Sequence, residues 1–415
     1  MNLRRPVLFA LSAILVLSSC TKTNTVSVNS NLLTQKVATS SIQKFTVVEI
    51  RIKKQDDLAK LDAKGFDLFG ANPRANTVKA RITDEQISYL KSEGFYYKEI
   101  PSTNMAATKG MPQGYRTYAD MLKRMKELEV KYPNIVSVTD VGDTWEKTQG
   151  KAPNNDIWCI TITNKSKKVT KPASLFTGGI HAREIAPPEI MLELAENLVT
   201  NYGKDSAITE LVDTKDINII PVVNVDGRIQ VENGNTWQRK NTHGVDINRN
   251  FDSHWNYQGL IGNFDVDTNP GSETFSGASA ASEPETQAVQ GMYKLKNISM
   301  SLDMHAYGNM FFWPVGYTKK DVPEAATYKK IYQDTYEKVG YQGGTSTALL
   351  YETTASADDY GYIKGKAAGF GMEVGDSFRP SASELSKIWS DNKDNLLKLL
   401  KTNSLDLKVT SNFVQ

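Results

Sequence analysis

The sequence predicts an α/β protein: a large domain of alternating strands and helices behind a small α+β module. Three observations carry this. From Thr117 to about Lys401, short apolar runs alternate with stretches whose apolar residues recur every three to four positions, the pattern of one α/β domain. Ahead of it, residues 45–100 read in the order β-α-β-β-α-β, that of a ferredoxin-like module. Within the large part, Ser174 to Met191 reads as a buried strand, a glycine hinge and a helix entered through Pro187-Pro188. Proline is tolerated there because a first-turn N–H has no intrahelical partner.

Taken in order, Arg4 and Arg5 followed by the apolar run Val7 to Leu17 form a signal segment over residues 1–19. The run is too short to span a bilayer as a stable helix. Leu17-Ser18-Ser19-Cys20 resembles a bacterial lipobox, with Cys20 the lipidated residue; the other reading is a secretory peptide with a chance cysteine. The lipobox reading makes the chain a lipoprotein of the bacterial cell envelope, at the outer membrane or cell surface, anchored through Cys20. Residues 20–44, rich in Ser, Thr and Asn, form a flexible tether.

The small module over 45–100 is expected to run as a strand from Phe45 to Ile52 and a helix from Asp56 to Ala63 bearing Leu58 and Leu61. Strands Phe66–Phe69 and Thr77–Ile82 follow around Asn72-Pro73, then a helix Asp84–Ser92 and a strand Phe95–Ile100. Residues 101–112 lack periodicity and read as an exposed linker, where proteolysis concentrates. The large domain spans 113–402, opening on an amphipathic helix with Met121, Leu122, Met125 and Leu128, and residues 403–415 are a tail. Cys159, in the strand-like Ile157–Ile162, is a small buried apolar residue, and no disulfide is expected. A net charge of +2 gives no reason to invoke a nucleic-acid partner.

The chemistry starts at His181 and Glu184. An imidazole and a carboxylate three residues apart at a strand-to-helix turn can reach one metal ion, and zinc takes both ligand types. Alone, the pair reads far more readily as a solvated histidine near a surface acid. His305 ends a strand in Asp303-Met-His-Ala-Tyr, Glu373 lies in another strand, and Asp246-Ile-Asn-Arg-Asn follows a glycine turn; each is weak alone. Gly178-Gly179 and Gly343-Gly344 lack the spacing of a nucleotide loop, and no nucleophile-elbow motif supports Ser-His-Asp catalysis.

In chain order these segments resemble the zinc carboxypeptidases of the pancreatic A/B type and their bacterial, carboxypeptidase T-like relatives. The matching stretches are Gly-Ile-His-Ala-Arg-Glu at 179–184, Asn-Val-Asp-Gly at 224–227, Arg239-Lys-Asn, Gly-Val-Asp-Ile-Asn-Arg-Asn-Phe at 244–251 and Gly-Ser-Glu-Thr-Phe-Ser-Gly at 271–277. Asp-Met-His-Ala-Tyr at 303–307, Tyr351 and Met-Glu-Val-Gly-Asp at 372–376 complete them. The resemblance implies a large mixed-sheet α/β/α domain that binds one Zn2+ and cleaves peptide and protein C-termini. It implies His181, Glu184 and His305 as zinc ligands, with Asp246 orienting the first histidine. Glu373 is then the general base, and Arg239 the group that polarises the scissile carbonyl. Asn248, Arg249 and Tyr351 clamp the terminal carboxylate, and Arg183 is an outer substrate-binding position. His243 and His254 match no ligand and are expected as surface or packing residues.

Two finer expectations follow from the same resemblance. Asp358, seven residues after Tyr351, falls where the family's pocket residue lies, and an aspartate there accompanies Lys or Arg ends; a loop shifted by one would instead make Asp359 the structural acid and leave Asp358 solvated. The module at 45–100 resembles, in element order and position, the family's inhibitory propeptide, removed by an activating protease within 101–112, with Lys109 one possible cut. Rival functions are a carboxypeptidase of peptidoglycan stem peptides and an inactive peptidase fold used for binding.

Overall fold

The computed structural model describes residues 45–101, 110–255, 257 and 267–402. The expectations for the signal segment, Cys20, the tether, Lys109 and the 403–415 tail lie outside the described residues.

The small module is a four-stranded antiparallel sheet of β1 (Thr46–Arg51), β2 (Asp67–Asn72), β3 (Thr77–Ile82) and β4 (Tyr97–Glu99), in the order β2-β3-β1-β4. Strand β3 shows the cause: Val78, Ala80 and Ile82 are buried while Thr77, Lys79 and Arg81 face away, the two-residue period of a half-buried strand. Helices Gln55–Asp62 and Asp84–Ser92 supply Leu58, Leu61 and Leu90 to the same core. The second helix opens on a capping box, in which Thr83 Oγ1 accepts from Gln86 N–H and Gln86 Oε1 from Thr83 N–H. The last strand is shorter than Phe95–Ile100, because left-handed Gly94 ends the preceding helix and Phe95 N–H still bonds to Leu90. Strand β2 is longer than expected, continuing past an irregularity at Phe69 to the turn at Pro73.

The large domain is built on β5 (Val136–Asp143), β6 (Asp156–Ile162), β7 (Ala173–Gly178), β8 (Asp216–Ile220), β9 (Ile298–His305), β10 (Met310–Phe312), β11 (Gln342–Gly344) and β12 (Ala368–Glu373). They form one mixed sheet ordered β11-β10-β12-β9-β7-β8-β6-β5. The four central strands, β12, β9, β7 and β8, run parallel. All six residues of β7 are buried, as befits a parallel strand covered on both faces. Helix Ala186–Asn201, carrying Pro187-Pro188 in its first turn, buries Ile190, Leu194 and Leu198. Cys159 is buried in β6. The module and the large domain pack as one compact unit.

Parallel strands point their carboxyl ends the same way, and ligands collect in the crevice outside those ends. His181 and Glu184 lie just beyond β7, His305 ends β9, and Glu373 ends β12 as the register partner of His305.

Candidate metal centre and substrate cleft

The site is built by a hinge. Gly179 adopts φ +62°, open to glycine at little cost, and a Cβ on Gly178 would stand 3.0 Å from the Pro221 carbonyl. The chain can therefore leave β7 abruptly and aim His181 back over the sheet. Asn224 staples the turn: its amide donates to the Ile180 carbonyl at 3.1 Å, while its Oδ1 caps helix Val225–Glu232 through Gly227 N–H.

Three donor side chains converge there. His181 Nδ1 is 2.7 Å from Glu184 Oε1, and His305 Nδ1 is 3.0 Å from Glu184 Oε2 and 3.1 Å from His181 Nδ1. Their donor atoms lie within 4.8 Å of one another, and all three residues are buried. Behind them, His181 Nε2 is 3.1 Å from Asp246 Oδ1 and His305 Nε2 is 2.7 Å from Asp303 Oδ2. A carboxylate behind each ring nitrogen leaves the two Nδ1 atoms facing a single point beside a third carboxylate. Two imidazoles and one acid, with room for a fourth ligand, are a donor set zinc accepts. The residues fit the metal.

Asp246 sits on the N-terminus of a 3-10 turn, Ile247–Arg249, and ties several groups together. Its Oδ1 also takes Asn248 N–H, and its Oδ2 takes Arg239 Nη2 at 2.8 Å. Burial, the largest single influence, works against its charge, but Arg239, His181 and Arg249 together outweigh it and hold the carboxyl well below the usual carboxylate range.

Glu373 points into the same space, with Oε2 buried and without a hydrogen-bond partner. Burial, then the nearby negative Glu184, pushes it up to about 8 in the metal-free chain. A cation between the three ligands would oppose that push and leave the Glu373 carboxylate free to accept a proton.

One cavity is lined by His181, Glu184, His305, Glu373, Arg239, Asn248, Arg249, Tyr351 and Asp358. Asn248 Oδ1 takes Ala357 N–H at 2.9 Å, which fixes its amide. Of the two adjacent acids, Asp359 is fully buried and both its oxygens receive Gly316 N–H, whereas Asp358 faces the cavity.

Arg183 is not presented to the cleft. It is fully buried and forms a fork with Asp67 of the module, Nη1 to Oδ2 at 2.8 Å and Nη2 to Oδ1 at 2.7 Å, its guanidinium 4.4 Å over the Phe378 ring. Phe69 packs among Trp237, Phe378 and Tyr307, and a Cβ on Gly70 would strike the Tyr307 ring at 2.5 Å. Leu58, Leu68, Phe69 and Val78 of the module line the cavity. Asp62, at the end of the first module helix, is pushed up to about 7 by burial, with Arg249 and Arg239 near enough to pull against it.

Sequence reasoning missed Asp303, Asp62 and Asp67. For Asp303 a signal existed, since positions i and i+2 of a strand share a face and Asp303 therefore accompanies His305. His243 pairs with Glu283 at 3.0 Å and stacks on Trp145, and His254 stacks on Tyr317; neither joins the donor group.

The comparisons agree with this geometry. The zinc carboxypeptidase family model matches residues 121–395. The chain is 24% identical over 356 residues to carboxypeptidase B of Bos taurus, covering 82% of this chain and 78% of that one. It is 27% identical over 329 residues to carboxypeptidase B of Homo sapiens, covering 73% and 75%. The crystal structure of carboxypeptidase A from Helicoverpa armigera shares the fold, with a TM-score of 0.72 at 21% identity over 86% of this chain and 97% of that one. The chain belongs to the zinc carboxypeptidase family, whose members hydrolyse the C-terminal bond of peptides.

Proposed function

We propose that this chain is the latent precursor of a carboxypeptidase that releases lysine or arginine from peptide and protein C-termini. The observation that carries the specificity is Asp358, a carboxylate in a cavity whose other polar groups include the guanidiniums of Arg239 and Arg249. A C-terminal basic residue offers a carboxylate for the arginines and a cation for the aspartate.

In this reading the substrate's terminal carboxylate lies between the Asn248 amide, Arg249 and the Tyr351 hydroxyl, where a planar guanidinium can hold both oxygens. Arg239 faces the scissile carbonyl, and its charge stabilises the developing oxyanion more than the neutral carbonyl. His181, Glu184 and His305 would hold zinc, which would supply there a Lewis acid and a water of lowered pKa. Glu373 takes the proton from the attacking water and passes it to the amine nitrogen as the C–N bond breaks, a role of about 10²- to 10⁴-fold in rate.

The module at 45–100 acts as an inhibitory prodomain, supported by the Asp67–Arg183 fork and by its side chains in the cavity. Cleavage within 101–112 by an activating protease frees the cleft and also separates the enzyme from the lipid on Cys20, by which the precursor is held at the bacterial cell envelope. Comparing kcat/KM for peptides ending in Arg and in Leu, with the processed enzyme, tests the specificity. A preference for Arg is expected, and a clear preference for Leu rejects it. Full-length chain as active as its processed form would exclude latency.

A further inference from the structure

We propose that Asp303 is a positioning residue of the metal centre: it keeps the His305 proton on Nε2, so that Nδ1 faces the metal and the Asn248 amide stays available to a ligand. This rests on His305 being a metal ligand.

Two groups compete for His305 Nε2. Asp303 Oδ2 lies 2.7 Å away and Asn248 Nδ2 lies 3.1 Å away. They make opposite demands, because a carboxylate only accepts and an amide NH2 only donates. The Asn248 amide cannot settle the conflict by turning over, since its Oδ1 is committed to Ala357 N–H at 2.9 Å. Nε2 therefore either carries a hydrogen for Asp303 or offers a lone pair to Asn248. The charge-assisted contact is shorter, and such bonds are roughly twice as strong as neutral ones.

The surroundings of Asp303 add weight to the same side. It is buried, and its Oδ1 accepts from Thr177 Oγ1 at 2.7 Å across the β7–β9 pair, where Thr177 and Asp303 are register partners. With both oxygens engaged the buried charge is satisfied; without an N–H from His305, Oδ2 would face a lone pair at 2.7 Å, which a buried carboxylate tolerates poorly. The proton therefore sits on Nε2. Nδ1 is directed at Glu184 Oε2 and His181 Nδ1, toward the metal position, as Asp246 arranges for His181. The Asn248 NH2, refused by the ring, keeps its hydrogens for the cavity. One acid thus serves both the metal site and the carboxylate clamp.

The test uses the full chain loaded with zinc. In the wild type, 15N-histidine labelling is expected to show an exchange-protected, downfield Nε2–H belonging to His305. In Asp303→Asn the new amide can present its NH2 to Nε2 and favour a hydrogen on Nδ1. Competition with a chromophoric chelator should then show zinc held about 10- to 100-fold more weakly, while the thermal midpoint of the metal-free protein stays close to wild type. Zinc held equally tightly by Asp303→Asn overturns the proposal. So does a zinc-loaded wild type whose His305 lacks that N–H, a result that needs no folded variant. A wild-type chain that takes up no zinc removes the metal reading, and this proposal with it, and is distinguishable from either outcome.

Discussion

On the proposed reading of the 45–100 module as an inhibitory prodomain, replacing Asp67 with asparagine should release its hold on the cleft without altering any side chain of the large domain. In the closed form the Arg183 guanidinium is 0% exposed and makes two charge-assisted bonds to Asp67, at 2.7 and 2.8 Å. Removing one partner of a buried pair costs about 3–5 kcal/mol, because the other charge stays buried. Arg183 Nε already lacks a partner, so no spare acceptor stands ready. The asparagine oxygen returns part of the loss, on the order of 1 kcal/mol. In the open form Arg183 meets water, and the cost falls on the closed form alone. A net 2–4 kcal/mol converts to roughly 30- to 1000-fold in the closed-to-open ratio. The assay is hydrolysis of a peptide ending in Arg by uncleaved chain, wild type against Asp67→Asn, with both assayed again after cleavage in the linker. Uncleaved Asp67→Asn should be 30-fold or more above uncleaved wild type, and the two should match once processed. An uncleaved Asp67→Asn as silent as wild type would refute the reasoning. Acid should act in the same direction. Burial, the largest single influence, raises the Asp67 carboxyl, but Arg183 together with Arg81 and Arg239 overcomes it, leaving the group below its ordinary value. A depressed carboxylate stabilises the closed form at pH above the ordinary value and loses that contribution as pH falls through its own lower value, so the uncleaved chain should open only in strong acid.

Three further outcomes are expected. Glu373→Gln should lower kcat by about 10²- to 10⁴-fold while zinc binding, measured by chelator competition, is kept, since Glu373 is not among the three converging donors. Asp358→Ala should lower kcat/KM for peptides ending in Arg by about 10- to 100-fold, the worth of one hydrogen bond to a charge, and leave peptides ending in Leu little changed; equal losses on both would assign Asp358 to structure. Glu285, fully buried beneath Trp145 N–H and the Asn241 amide, is pushed up to about 7, mainly by burial. A carboxyl raised in the folded state holds its proton longer there than when unfolded. Its contribution to stability is therefore greatest below about pH 4.5 and declines as pH rises toward 7. Thermal midpoints across that range should fall less steeply in Glu285→Gln than in wild type.

The metal pair is legible in the sequence because its parts are local, while the rest of the site is reached only through the family resemblance. Gly178-Gly179, His181, Glu184 and Pro187-Pro188 lie within one strand-hinge-helix unit, so spacing alone places the two donors at a turn. Strand β3 has the bounds its alternation predicts, since Val78, Ala80 and Ile82 need one face and Lys79 and Arg81 the other. What was not legible is pairing across distance. Asp67 meets Arg183 across 116 positions, and nothing about an acid in Gly-Phe-Asp-Leu-Phe-Gly announces such a partner. The shortened β4 has a similar cause: Phe95 and Tyr97 have the composition of a strand, yet left-handed Gly94 and the bond from Phe95 to Leu90 use the backbone that a longer strand needs.

On the proposed reading, the acids of the module let inhibition and recognition share one chemistry. In the proposed function a peptide end presents its carboxylate to Arg249, beside Arg239, and Arg183 is a further cation, buried against the module. Against these cations the module sets Asp62 and Asp67. Through Asp67 it thus uses the feature by which a substrate is known, negative charge, while Leu58, Leu68 and Phe69 occupy apolar wall. On that view, cutting the linker removes no contact; it removes only the effective concentration that made rebinding intramolecular, of the order of millimolar for a short flexible linker. Processed enzyme diluted far below that concentration should therefore gain activity with time, at a rate set by module dissociation, and Asp67→Asn should shorten the lag. A full rise at the instant of cleavage, with no lag at any concentration, would mean that the tether rather than the fork holds the cleft shut.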